Sequence, residues 1–100
     1  MSTLELVWHI DDGTDDVATV LSELAKSAAA TTFGQLDGLY SRLTTLWEMT
    51  KGIDVSHPGN LANGLRLRRA IATQARRIDA LRDSLIAHGV RALSTPPNQC

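Results

Sequence analysis

NLANGLRLRRAIATQARRIDALRDSLIAH, residues 60–88, is the stretch whose reading decides the fold. With Gly64 as the first a position of a heptad, Gly64, Ile71, Ile78 and Leu85 fall at a, and Leu67, Gln74, Leu81 and His88 at d. An apolar seam that recurs about every 3.5 residues marks a long helix packed lengthwise on another helix. Arginine fills the other positions. Arg68 and Arg82 at e and Arg77 at g flank the seam, whereas Arg66, Arg69 and Arg76 face outward in this frame.

The borders of that helix are set by local chemistry. Gly89 fits a left-handed C′ position and Val90 the hydrophobic contact that accompanies it, so the helix is expected to stop at His88. Residues 91–100, with Pro96 and Pro97, read as a flexible tail. Upstream, Gly52 to Gly59 is a loop by composition, and either Pro58 or Asn60 starts the helix. Before the loop, Leu36, Leu39, Tyr40, Leu43, Leu46 and Trp47 repeat at helical spacing, which predicts a helix from about Gly34 to Thr50. Thr32 and Gln35 form a capping-box pattern at its start, and Gly52 suits its C′ position after Lys51.

Val17, Val20, Leu21, Leu24 and Ala28 predict a first helix from about Asp15 to Ala30; Thr31-Thr32-Phe33-Gly34 is poor helix interior, but the apolar phase continues across it, so a break or one long kinked helix is allowed, with a break or kink near Gly34 preferred. Asp11-Asp12-Gly13-Thr14-Asp15-Asp16 reads as a turn, with Thr14 as cap and the aspartates after it in a first turn whose dipole favours negative charge. Residues 4–10 fit two periods. Leu4, Leu6, Trp8 and Ile10 alternate as in a strand, but Ser2 and Glu5 form a capping-box pattern and Leu4, Val7 and Trp8 share a helical face. A short helix or apolar arm is the preferred reading, because no second strand exists to pair with. Residues 1–13 are thus an N-terminal arm, 1–90 a single helical domain, and 91–100 the tail.

The 100 residues hold 43% hydrophobic and 21% charged residues, which is globular composition. Only 4% are aromatic, so the core is aliphatic, and oligomerisation is the usual support for a domain so small. The net charge of −1 argues against wholesale binding to nucleic acid or to an acidic membrane. Charge is nevertheless segregated: nine acids and three bases lie in residues 1–54, two acids and seven arginines in 55–100. Two such halves attract each other within a chain or between chains. The one cysteine, Cys100, is terminal and cannot staple the fold, so a reducing, cytoplasmic location is expected, without a secretion signal or membrane span. The preference for arginine over lysine and the abundant alanine suggest a high-GC bacterial or phage genome.

No catalytic, cofactor or metal motif emerges. The aspartates at 11, 12, 15 and 16 do not follow the calcium-loop pattern, because the glycine is third instead of sixth and Ser22 stands where a closing glutamate is needed. His9, His57 and His88 lack partners at ligand spacing, and His88 in a last helical turn suits the dipole. No phosphate loop ends in Lys-Ser or Lys-Thr. Arginine is the one concentration, and Arg66, Arg69, Arg76, Arg77 and Arg82 are the candidate interaction or anion-binding surface.

Arg76-Arg77-Ile78-Asp79-Ala80-Leu81-Arg82-Asp83-Ser84-Leu85-Ile86 resembles the opening helix of the small all-helical chorismate mutases, where an Arg-x-Ile-Asp-x-Leu-Asp stretch begins a dimer of intertwined helices. In that family two helices follow it, whereas here the chain ends soon after, and Arg82 stands where an aspartate is usual. No site residue is carried over.

The expected fold is all-α: an antiparallel helical hairpin or small three-helix bundle with one long C-terminal helix, about 60–88, with coiled-coil-like packing and an oligomeric state. Its core is Val17, Val20, Leu21, Leu24, Leu36, Leu39, Leu43, Leu46, Trp47, Leu61, Ile71, Ile78, Leu81 and Leu85, and Gly64 and Gln74 limit which registers pack well. The expected function is that of a non-enzymatic helical adaptor or assembly protein, with a homodimer or another helical protein as partner and no membrane. Alternatives are a nucleic-acid-binding regulator using the arginine face, and a small helical enzyme or subunit that grips an anionic substrate.

Overall fold

The structure, a computed structural model, describes residues 2–27 and 30–94, with side chains up to Gly89 in the last helix. Three helices are present: α1 (Thr3–Lys26), α2 (Phe33–Thr50) and α3 (Pro58–Ser94), with no strand among the described residues. Their directions follow from the cross-contacts. Asp11 meets Arg66 and Ser22 meets Arg77, a constant separation of 55 residues, so α1 and α3 run parallel. Asp16 pairs with Arg42 while Gly13 lies against Leu46, and Asp37 pairs with Arg82 while Thr50 meets Arg68; α2 is antiparallel to both neighbours. The chain is an up-down-up bundle.

Each helix buries one stripe. Val7, Ile10, Val17 and Leu21 of α1, Leu36, Leu39, Leu43 and Leu46 of α2, and Leu67, Ile71 and Ile78 of α3 form the core, with Ile53 of the α2–α3 connection closing one end. The seam of α3 lies where its heptads place it: Gly64, Leu67, Ile71 and Ile78 are buried, Gln74, Leu81 and Leu85 half-buried, and His88 exposed. Gly64 does not act through close approach, since a Cβ there would meet nothing within 4 Å. Two residues expected in the core, Trp47 and Leu61, are exposed instead.

The N-terminal arm is not a separate element. Residues 3–13 are the first half of α1, and Asp11 to Asp16 lies in mid-helix. Thr14 falls in phase with Ile10, Val17 and Leu21, and it tolerates burial because its hydroxyl donates to the Ile10 carbonyl at 2.7 Å. Gly13 serves packing and not a turn: a Cβ there would come within 2.7 Å of Leu46 Cδ2. Asp12, Asp15 and Asp16 point outward.

Helix ends show the same mixture of local and tertiary control. Ser2 caps α1 by accepting from the Glu5 N–H, and Thr32 with Gln35 forms the full capping box of α2. At the end of α1 the Thr31 hydroxyl lies 3.1 and 3.3 Å from the carbonyls of Leu24 and Ser27, adding to the bonds these take from the Ser27 and Ala30 N–H groups. Pro58 takes the first position of α3, where its missing N–H costs nothing, and the His57 carbonyl accepts from Asn60 and Leu61. No described glycine has positive φ, so neither Gly52 nor Gly89 is a left-handed cap. Gly52 sits against Leu6, and α3 continues through Gly89 to Ser94, which moves His88 out of the last turn. One interior glycine costs a helix only about 1 kcal/mol, too little to end it. Cys100 and the rest of 95–100 lie outside the described residues.

Candidate functional site

The five arginines of the candidate surface do not act as a group. Arg66 reaches across to α1 and grips Asp11 with both amino groups, at 2.8 and 2.9 Å, instead of facing solvent alone. Hydrogen bonding to that carboxylate, and its charge, raise the Arg66 pKa above the ordinary guanidinium value. Arg77 donates to Gln74 Oε1 at 2.7 Å and to Ser22 Oγ at 3.1 Å, tying α3 to α1. Arg82 pairs with Asp37 of α2 and lies over the Phe33 ring, with its Nε buried and unpartnered. Arg76 donates to Thr73 on its own helix. No carboxylate pairs with Arg69 or Arg76 among the described residues.

Thus two of the five charges are neutralised by acids from the first half of the chain. None of the five is buried, and the buried arginine cluster that an anion-gripping site requires is not formed among the described residues. No group of three or more His, Cys, Asp or Glu side chains is placed to hold a metal among them either. His9 is edge-on to Trp8, with ring centroids 5.0 Å apart. In the α2–α3 connection, Asp54 accepts hydrogen bonds from the Ser56 side chain and N–H, which hold its carboxyl below the usual carboxylate range, helped by the nearby His57.

The surface feature that stands apart is the groove between α2 and α3. Phe33, Tyr40 and Trp47, three of the four aromatic residues, recur every seven residues along the exposed edge of α2. Facing them, α3 carries a second stripe outside its core seam: Leu61, Leu65, Arg68, Ala72, Ala75, Asp79, Arg82 and Ile86, all exposed or half-buried. Ala72 and Ala75 are small, so between them and Tyr40 and Trp47 the surface sinks into an apolar groove of about 280 Å³. The groove continues toward the α2–α3 connection through a second hollow lined by Ile53, Val55, Leu61 and Leu65. Arg68 roofs the junction of the two hollows. Its Nε donates to Thr50 at 2.9 Å and its guanidinium lies 5.0 Å from the centre of the Trp47 ring.

No family model, curated protein or solved structure matches this chain. The site therefore rests on its own geometry. The stretch that resembles the opening helix of the chorismate mutases lies in the third helix of a bundle closed within one chain, and it places Arg76 and Arg77 outside the aromatic groove.

The aromatic groove was missed as a site at sequence level, although a signal for it is present. Tyr40 and Trp47 continue the apolar phase of Leu36, Leu39 and Leu43, closely enough that Trp47 reads as core. The heptad spacing of Phe33, Tyr40 and Trp47, the last two each one residue after the buried Leu39 and Leu46, identifies a second face. A second apolar patch sits elsewhere, where Leu4 and Trp8 on α1 are 80% and 61% exposed. No helix among the described residues is long and apolar enough to cross a membrane.

Proposed function

We propose that this protein is a small, non-enzymatic helical adaptor or assembly protein that works in the cytoplasm through helix-to-helix contacts made in the α2/α3 groove. The observation that carries this reading is the exposure of Phe33, Tyr40 and Trp47 in one line beside the alanine floor of α3. Aromatic residues are enriched at the centres of protein interfaces, where they bring large apolar area at low conformational cost. In a chain with so few aromatics, leaving most of them half-open to water gives up burial worth about 1 kcal/mol or more per side chain. A partner helix laid in the groove recovers that burial.

A nucleic-acid-binding role has one observation in its favour, that no carboxylate among the described residues pairs with Arg69 or Arg76 on the outer side of α3. Two cations seven residues apart, beside Asp79 and Asp83 and on a chain of net charge −1, give a weak electrostatic footprint. The two readings separate in one experiment. Sedimentation of complexes with the chain should show association weakened about tenfold or more by Tyr40→Ser with Trp47→Ser. Arg69→Ala with Arg76→Ala should leave it unchanged. Salt-sensitive binding of duplex DNA or RNA that is lost with the arginine pair and kept with the aromatic pair would replace the assembly reading.

A further inference from the structure

The partner that best fits the α2/α3 groove is written into the stripe on α3. Its residues, Leu61, Leu65, Arg68, Ala72, Ala75, Asp79, Arg82 and Ile86, are spaced symmetrically about a point midway between Ala72 and Ala75. We infer that the groove is covered by a second copy of this chain, laid antiparallel across a two-fold axis through that point. The inference rests on the proposed function and names its partner.

The symmetry is chemical as well as numerical. Turning the chain about such an axis sets Ala72 against Ala75 of the second copy, the pair of small residues that lets two α3 backbones approach. It sets Arg68 against Asp79 of the other chain, once on each side of the axis. Both groups are available for this. Among the described residues Nε is the one Arg68 atom that donates a hydrogen bond, the guanidinium otherwise lying over Trp47, and Asp79 has no hydrogen bond or ion pair. At the outer ends Leu61 meets Ile86 of the second copy, two exposed apolar side chains that each chain leaves uncovered. Leu65 lies opposite the alkyl stem of Arg82, whose charged head is already held by Asp37. Tyr40 and Trp47 line the same groove as Ala72 and Ala75, so the axis also brings the aromatic pairs of the two copies together.

The alternative of a parallel copy fails on charge. It would set Arg68 against Arg68 and Asp79 against Asp79, like charges at the centre of an interface. An isologous contact requires a self-complementary surface, and this stripe meets the requirement only when antiparallel. From Leu61 to Ile86 the stripe is about 38 Å long at the rise of an α-helix. On a bundle 17 Å across, that covers on the order of 600 Å² per copy, at the small end of specific interfaces. A reversible dimer at micromolar concentration is the expected strength.

The test is sedimentation equilibrium of the full chain from micromolar to hundreds of micromolar, with reductant present to prevent a disulfide through Cys100. The expected result is a monomer–dimer equilibrium that Arg68→Asp and Asp79→Arg each weaken about tenfold or more, and that the two combined return to within about threefold of the original. Asp79 is exposed and unpartnered, so its variant should keep the helical circular dichroism of the parent; Ala75→Arg should give a folded monomer. A chain that stays monomeric throughout overturns the inference, and so does a dimer indifferent to both Asp79→Arg and Ala75→Arg. A dimer lost instead on Trp8→Ser moves the contact to α1 and overturns it too. A monomer that still binds a different protein in a manner dependent on Tyr40 and Trp47 overturns the second copy as occupant and leaves the proposed function standing.

Discussion

The two grooves that flank α3 are built from the same helix and finished in opposite ways. On the α1 side, Asp11 with Arg66 and Ser22 with Arg77 bridge the helices, and each long side chain spends its hydrogen bonds inside the chain. On the α2 side the bridging groups, Arg68 over Trp47 and Arg82 over Phe33, flank the hollow lined by Tyr40, Trp47, Ala72 and Ala75, which is itself left apolar. A polar strap is satisfied in water. An aromatic trough with an alanine floor is satisfied only when something lies in it. The difference shows why the arginines, the most conspicuous residues in the chain, are poor guides to function here: most of them stitch helices together or shade aromatic rings, and the exposed rings are what remains unfilled.

The strongest way to break this comparison is to remove the core that both grooves share. Leu67 is fully buried beneath α3, at 0% exposure. Leu67→Ala should cost about 2–5 kcal/mol, from lost burial and the cavity left behind, and urea denaturation followed by circular dichroism measures it. If the cost is below about 1 kcal/mol, α3 is not anchored by its seam and neither groove has the fixed shape argued above.

A smaller change acts on the α2 side alone. Gly64 sits inside α3 at the hollow that continues the aromatic groove, and a Cβ there meets nothing within 4 Å. Gly64→Ala should therefore stabilise the chain by about 0.5–1 kcal/mol, through the entropy it removes from the unfolded state. Destabilisation on thermal melting would mean that something closer than the groove wall occupies this space.

How much of this was legible in the sequence depended on the range of the cause. Residues 60–88 are legible because a seam of Leu67, Ile71, Ile78 and Leu81 repeats within one helix, and a periodic signal over many turns outweighs Gly64 and Gln74 within it. The Thr32–Gln35 box and the Pro58 boundary are legible because capping is settled by neighbours three residues apart. Asp11 to Asp16 is not, since every local sign there is that of a turn, and the reason for Gly13 is Leu46 on another helix. The arginines failed for the same reason. Which acid meets Arg66 is fixed by the 55-residue register of α1 on α3, and no window of local sequence contains it. The aromatic groove was half legible: its heptad spacing is plain, but a face one residue out of phase with the core separates from it only once Leu36, Leu39 and Leu43 are seen to be buried and Tyr40 exposed.

The finest test sets one polar strap against the aromatic trough. Asp11 and Arg66 form a bidentate pair, but their side chains are 38% and 52% exposed. Charged groups this open to water are screened, and side-chain ordering offsets part of the attraction, so Asp11→Ala should cost under about 1 kcal/mol. The loss should shrink further as salt is raised, and the same variant should leave sedimentation unchanged, because the proposed interface lies on the α2 side. Arg66 keeps its charge throughout the accessible pH range. Its raised pKa is a contribution present below the unfolded value and lost only above the folded one, so no pH step should accompany its release between neutral and mildly acidic solution. Weakened association in Asp11→Ala, at a stability cost this small, would place an interface on the α1 side of α3 and reverse the contrast between the two grooves.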